Sequence, residues 1–486
     1  MKKHLCFFFL GGCIVASIVM AIGQLKAGHN WGDDFALYLN QARSITNGKI
    51  KDVARMNAFT VHDSSIRYDF SPDIYPWGWP FLLSIVYSLT GFNLTAFKIL
   101  GILLFGGWQF ALYTLYRKSV EPFLAVLMVL VIGFSPILID YVADNILSEI
   151  PFLFFSTTTL VLIQRESEGI KPSKNLYYFL LGVGIFFSYC IRPEGLLLLG
   201  TYLIKQVVVV NRRSRIYEGW APVGYFVLFY GIYHLMPVGD GSYLRNFREI
   251  SFALLFNNVK AYGTVCSLLL YNTSDRVLFI VTNLLFVVGL VGGWKKDIVI
   301  FIYLMQLLIL SLVWPAFEGR YAFIRFPFFL YFCVQGLLFI GGYLPKDIFK
   351  NARWTLYFII IVIVSNSLIV AIKQTIWVSK QPVIVIPGPE SKESKEMFLF
   401  VRENTQLSDT IAFFKPRALS LYTGRNALII HSDEMELIRK CNYAIFDNNI
   451  GLYNQLPLPE DTNQNFRKIF YNKDFSIYKI IKPVFK

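Results

Sequence analysis

Trp31-Gly32-Asp33-Asp34-Phe35-Ala36-Leu37-Tyr38-Leu39-Asn40-Gln41-Ala42-Arg43 opens a segment that ends at Tyr75-Pro76-Trp77-Gly78-Trp79-Pro80, between the first hydrophobic span and the second. Its adjacent carboxylates, Asp33 and Asp34, stand at the edge of a membrane, a costly place for charge that marks chemistry or transport. A helix starting near Asp33 brings Asp34, Tyr38 and Gln41 to one face, at i, i+4 and i+7. The same acids also suit a helix cap or first turn, so a functional face and a cap both stay open. Tyr75 to Pro80 reads as a rigid, extended lead into the next apolar segment, with tryptophans suited to the interfacial belt and Tyr75 able to shape a lipid or sugar pocket.

The rest of the chain supplies the membrane. Of 486 residues 55% are hydrophobic and only 16% charged, and the mean hydropathy of +0.50 excludes an ordinary soluble domain. Leu5 to Leu25, preceded by Lys2 and Lys3 and lacking a small-residue cleavage site, reads as an uncleaved first helix, with a signal peptide as the alternative. Many of the residues behind the net charge of +14 lie in short loops, so the positive-inside rule explains much of the excess and no nucleic-acid partner is expected. Six scattered cysteines show neither disulfide nor zinc spacing.

Basic clusters at Arg117-Lys118, Arg165 to Lys174, Arg212-Arg213-Arg215, Lys295-Lys296 and Lys346 to Arg353 are assigned to the cytoplasm. The segments Ala27 to Trp77, Asp140 to Glu149, Arg192 to Glu194, Pro237 to Arg276, Glu318 to Arg325 and everything after about Trp377 then face out. Trp79 to Tyr116 could hold two short spans although the flanking charges require an odd number, so one of its helices is expected to be re-entrant or interfacial. With about 20 apolar residues per crossing, the expectation is an all-α bundle of about eleven to thirteen helices. Residues 1–378 form this membrane domain, with its first outer loop at 26–77. Residues 379–486 read as a small α/β domain, with β-rich runs at Thr410 to Phe414, Ala427 to Ile430, Tyr443 to Phe446 and Phe475 to Ile480.

Other polar constellations sit at the outer ends of apolar spans. Asp140, Asp144 and Glu149 share one turn, where Ser148 and Pro151 also suit a helix start. Arg192 and Glu194 suggest a structural ion pair. Glu318-Gly319-Arg320-Tyr321 and Arg325 offer planar, bidentate donors for a phosphate, with interfacial snorkelling as the rival. His62 and His234 lack ligand spacing, so metal ligands are not assigned and a divalent metal is left open.

Taken together these pieces resemble the GT-C class of integral-membrane glycosyltransferases, in particular the bacterial branch similar to protein O-mannosyltransferases and aminoarabinose transferases. The matching stretches are Trp31 to Arg43, Tyr75 to Leu83, Asp144 to Glu149, Arg192 to Gly195, Gly319 to Tyr321 with the following Pro327, and Lys415 to Arg425. The likeness runs over nearly the whole chain, departing from the family in the absence of a dedicated metal pair. The resemblance implies a sugar donor carried on polyprenyl phosphate and a hydroxyl acceptor on an envelope lipid, glycan or protein at the outer face of the cell membrane. It maps the essential acid onto Asp34 or Asp33, with Asp34 favoured for its helical neighbours. Arg320, Arg325 and Arg192 would then bind the donor phosphate, and Tyr38, Gln41, Tyr75, Asp144, Glu149, Glu318 and Tyr321 would contact substrate. A lipid-linked-glycan flippase or an O-antigen polymerase or ligase are the alternatives, the latter through Arg245 and Arg248.

If the charge bookkeeping is right, a cysteine introduced near Asn448 reacts with a membrane-impermeant thiol reagent added outside intact cells. Protection of that site would overturn the topology.

Overall fold

The opening apolar run folds as α1 (Lys3–Gly23), turning Phe8, Val15 and Val19 outward and packing Leu10 and Ala21 inward. In this computed structural model the described residues are 3–65, 72–166, 174–209, 216–237, 251–273, 275–314, 317–343, 345–431, 433–449, 455–459 and 464–482. Arg212, Arg213, Arg215, Arg245 and Arg248, which figured in the sequence reading, lie outside them, as do the side chains of 346–353.

The first loop holds α2 (Asp33–Thr46) and α3 (Ile50–Asp63). Gly32 is the N-cap of α2, so Asp33 and Asp34 both occupy its first turn, where the helix dipole favours negative charge. Next comes α4 (Gly78–Thr90), whose 13 residues reach only about 20 Å, too short to cross. Gly91 turns the chain at φ 66°, a left-handed conformation that only glycine adopts freely, into the 23-residue α5 (Leu94–Tyr116). Of the two helices in this stretch only α5 is long and apolar enough to cross a membrane.

The chain continues through α6 (Pro122–Gly133), α7 (Pro136–Asp144), α8 (Glu149–Arg165), α9 (Lys174–Ile191), α10 (Leu196–Val209), α11 (Ile216–Tyr233), α12 (Phe252–Tyr271), α13 (Arg276–Gly293), α14 (Ile298–Val313), α15 (Ala322–Gly341) and α16 (Lys346–Lys380). Among the described residues, 7 helices are long and apolar enough to cross a membrane, or 8 if α6 and α7, bent by 53° at Pro136, count as one span. The eleven to thirteen read from the sequence are reached only when α8, α10, α11 and α14, which pack among the spans, are counted as well. The protein is a multi-pass membrane protein. At 35 residues, α16 is about 52 Å long and outreaches a hydrocarbon layer of roughly 30 Å, leading into the tail.

Helices α13 and α15 approach until their backbones touch. A Cβ on Gly289 would lie 1.8 Å from the Phe332 carbonyl oxygen, and one on Gly336 would lie 2.2 Å from that of Leu285. In lipid, where apolar burial offers little drive, small residues let helices associate through such contact. It also fixes α15, whose first turns carry the Arg320 and Arg325 region.

The tail comprises α17 (Lys392–Asn404), β1 (Thr410–Ala412), α18 (Pro416–Thr423), β2 (Asn426–Leu428), α19 (Glu434–Lys440), β3 (Tyr443–Asp447), β4 (Phe466–Tyr471) and β5 (Phe475–Ile480). Its sheet has the order β2-β1-β3-β5-β4, parallel across β2, β1 and β3 and antiparallel from β3 onward. The first loop is locked to this domain. Trp31 packs edge-on against Phe398, Phe413, Phe414 and Phe475, and Ala27 exchanges backbone hydrogen bonds with Ile384 and Ile386.

Because no rotamer relieves a clash with backbone, Gly289→Val is expected to lower stability by about 2 kcal/mol or more, read as an earlier thermal unfolding midpoint in detergent. An unchanged midpoint would mean that α13 and α15 are not in contact.

Candidate active site

Asp34 is the focus of a network drawn from both ends of the chain. The Tyr75 hydroxyl donates to its Oδ1 at 2.6 Å, Arg320 Nη2 donates to its Oδ2 at 2.7 Å, and Arg417 Nη1 stands 4.0 Å from Oδ1. Burial pushes the carboxyl upward, but Arg320, Tyr75 and Arg417 outweigh it and hold it below the usual carboxylate range. The group is therefore ionised at neutral pH.

Arg320 joins Asp34 to a second acid. Its Nε bonds Glu318 and lies 3.6 Å from Glu149 Oε1. Glu149, with a side chain only 1% exposed, accepts Arg192 Nη1 at 2.8 Å and the Tyr141 hydroxyl at 2.7 Å. Arg192 continues to Glu194 at 2.9 Å, the ion pair suggested by their spacing. Burial raises the Glu194 carboxyl, and Arg192 more than reverses it. Carboxylate and guanidinium thus alternate along Asp34, Arg320, Glu149, Arg192 and Glu194. The Tyr321 ring lies beneath both arginines, 5.5 Å from Arg320 and 5.6 Å from Arg192.

Local geometry brings these groups together. The 3.6-residue period of α2 places Tyr38 and Gln41 on the side of Asp34, where all three meet Tyr75. Tyr38 stacks obliquely on Tyr75 with centroids 4.9 Å apart, and the Gln41 amide bonds the Tyr75 carbonyl and N–H at 2.9 and 3.3 Å. Pro76 keeps Tyr75 extended, presenting its backbone to that amide. The Tyr38 hydroxyl donates to Ser148 Oγ at 3.0 Å, and Arg192 Nη1 reaches the same oxygen at 3.1 Å.

Other sequence candidates lie elsewhere. Asp33 sits in the same first turn, about 100° around the helix from Asp34. Asp144 belongs to a separate cluster, where Lys26 bonds it at 2.5 Å and Asp140 at 3.0 Å. Arg325 turns from Arg320, donating to the Tyr321 carbonyl at 2.7 Å and stacking 4.0 Å over Tyr262. His62 pairs with Asp73, and His234 packs on Tyr230. Among the described residues no group of three or more His, Cys, Asp or Glu could hold a metal, so no ligand set for the divalent cation left open by the sequence can be named. Arg417, Tyr141 and Ser148 were not singled out from sequence as site residues, although Lys415-Pro416-Arg417 lay within the tail motif.

His29 ties the start of α2 to the turn before α8. Its ring stacks on Phe35 at 3.8 Å, and its Nε2 accepts the Ile146 N–H at 3.1 Å. That acceptance requires the ring proton on Nδ1, where it meets the Asn30 carbonyl at 3.1 Å. Burial accordingly lowers the imidazole to about 4.

Solved structures share this architecture. ArnT from Cupriavidus metallidurans, bound to undecaprenyl phosphate, superposes with a TM-score of 0.55 at 10% identity over 97% of each chain. The Archaeoglobus fulgidus oligosaccharyltransferase AglB, in complex with an inhibitory peptide and a dolichol-phosphate, gives 0.54 at 12% identity over 90% of this chain and 69% of its own. The fold is GT-C. No protein-family model matches the sequence, and neither does any curated protein. Within this GT-C bundle, the network around Asp34 gathers the starts of α2, α8 and α15, the turn between α9 and α10, and α18 of the tail.

A neutral His29 is lost by protonation as pH falls. The unfolded group titrates near 6.5 and the folded one near 4, so its contribution is full above 6.5 and declines between those values, by up to about 3 kcal/mol. Thermal midpoints are expected to drop from pH 7 to 5 in the native protein and to vary less over that interval in His29→Gln.

Proposed function

We propose that this protein transfers a glycosyl unit from a polyprenyl-phosphate donor to a hydroxyl of an envelope lipid, glycan or protein, outside the cytosol. The observation that carries the reading is the ionised Asp34 carboxylate held by Tyr75 and Arg320, with Arg192 next in line, at one end of a GT-C bundle. The neighbours of this fold that were solved with undecaprenyl phosphate and dolichol-phosphate support a lipid-phosphate donor.

A sugar or lipid hydroxyl is a weak nucleophile until a base accepts its proton, and Asp34 is that base. The acceptor oxygen attacks the anomeric carbon and its proton passes to an Asp34 oxygen. The bond from the anomeric carbon to the phosphate oxygen breaks, and its electron pair leaves with the polyprenyl phosphate. One displacement inverts the anomeric centre. Negative charge grows on the departing phosphate, so preorganised guanidinium groups lower the barrier. Arg320 is the foremost of these, joined by Arg192, while Arg325, engaged with Tyr262, has no part in it. Binding of phosphate to Arg320 also weakens its hold on Asp34, raising the basicity of the carboxylate as the donor arrives. Tyr38, Tyr75, Gln41 and Tyr321 frame the sugar, and Glu149 and Glu318 hold the arginines in place. On this reading residues 1–378 carry the reaction and 379–486 complete the site from above.

Asp34→Asn in membranes supplied with donor lipid is expected to reduce sugar transfer about 10²- to 10⁴-fold, at normal protein level, as measured by mass spectrometry of the glycosylated acceptor. Asp33→Asn should retain most activity. Wild-type transfer by Asp34→Asn would remove the assignment of the base.

A further inference from the structure

We propose that Arg417, on tail helix α18, is a positioning residue for Asp34, acting through the Tyr75 hydroxyl, so that the tail domain completes the site and does not merely cover it. This rests on the reading of Asp34 as the base.

The geometry is specific. Arg417 belongs to the tail yet is only 4% exposed, and a guanidinium is buried at such a place only when its N–H groups are matched. Its Nε donates to Asn57 Oδ1 at 2.8 Å, its Nη1 donates to the Tyr75 hydroxyl at 2.9 Å, and its carbon lies 5.1 Å over the Tyr75 ring. Asn57 is itself held by the carbonyls of Pro72 and Asp73.

A guanidinium has only protons to give, so the Tyr75 oxygen must accept from it. The single hydroxyl proton of Tyr75 is then committed to Asp34 Oδ1, 2.6 Å away. Arg417 thus sets the direction of the Tyr75 O–H bond and polarises it, besides placing a positive charge 4.0 Å from the carboxylate. Docking of α18 holds the arginine there. Ala418 and Leu421 are buried in the bundle core, and Arg43 of α2 donates to the Leu421 carbonyl at 3.1 Å.

Among the described residues, the groups facing Asp34 are Arg320 with Glu318 and Glu149 behind it, Arg192 beyond Glu149, Tyr38 on its own helix, His29 from the preceding segment, and Tyr75 and Arg417. Removing a positive charge from this set raises the carboxyl pKa. A low pKa preserves the base as pH falls, so its loss moves the acid limb of activity upward.

The test uses the full-length protein in lipid nanodiscs and two readouts, the pH profile of kcat/KM for sugar transfer and infrared titration of the Asp34 carboxyl, its band assigned by Asp34→Asn. Arg417→Gln and Tyr75→Phe are each expected to raise the carboxyl midpoint and the acid limb by about one pH unit, with Arg417→Lys shifting both less. Should Arg417→Gln fail to fold, Arg417→Lys, which keeps the charge but cannot match the guanidinium's bonds to both Asn57 and Tyr75, carries the test. An Asp34 midpoint unchanged in the folded variants overturns the proposal and leaves the base assignment standing. A shifted midpoint in a protein without sugar transfer supports the coupling and overturns the functional reading instead.

Discussion

Charge neutralisation at the rim of an apolar bundle is the constraint on which this structure depends. Glu149, with a side chain 1% exposed, lies 2.8 Å from Arg192 and 3.6 Å from Arg320, the close pairing that a buried acid in such a place calls for. Each guanidinium then faces a second acid, Glu194 for Arg192 and Asp34 for Arg320. The alternation pins the beginnings of three helices and one turn to each other. It also leaves guanidinium groups concentrated beside an ionised carboxylate, the pairing that a reaction with an anionic leaving group and a protic nucleophile requires. On the proposed function, structural necessity and chemical use coincide in the same residues.

A second consequence concerns the division of the chain. Composition separates an apolar body from a polar tail, yet the first loop and the tail share a core around Trp31, Phe398, Phe413 and Phe475. Aromatic contacts of this kind contribute about 0.5 to 1.5 kcal/mol each beyond the area they bury. The loop is therefore sandwiched between bundle and tail, which is why a tail arginine reaches Asp34 at all. Rigidity follows from the same arrangement. His29 and the exchanged backbone bonds at Ala27 hold the strand leading into α2, so the carboxylate is set by packing from both sides.

Much of this was legible in the sequence. Hydropathy and the distribution of Lys and Arg identified a multi-pass bundle, the alternation of short β-rich runs identified the α/β tail, and the spacing of Asp34, Tyr38 and Gln41 marked one helical face, since each signal is local and periodic. Two tail elements escaped. Strand β4 is largely exposed, with little apolar alternation to reveal it, and α18 is only 8 residues long and opens with proline. Arg320 and Arg325 read alike from sequence, both near the mouth of a helix, yet one meets Asp34 and the other folds under Tyr262.

The sequence by itself determined which residues are charged at the ends of apolar spans and which segments must be helical, because hydrophobic burial and helix periodicity act over neighbouring residues. Tertiary structure alone decided the partners. Asp34 meets Arg320 across 286 positions and Arg417 comes in from the tail to meet Tyr75, and no local pattern encodes such encounters. They depend on how α2, α15 and α18 pack, and that packing is set by contacts such as Gly289 against Phe332, which become meaningful only when the helices lie side by side.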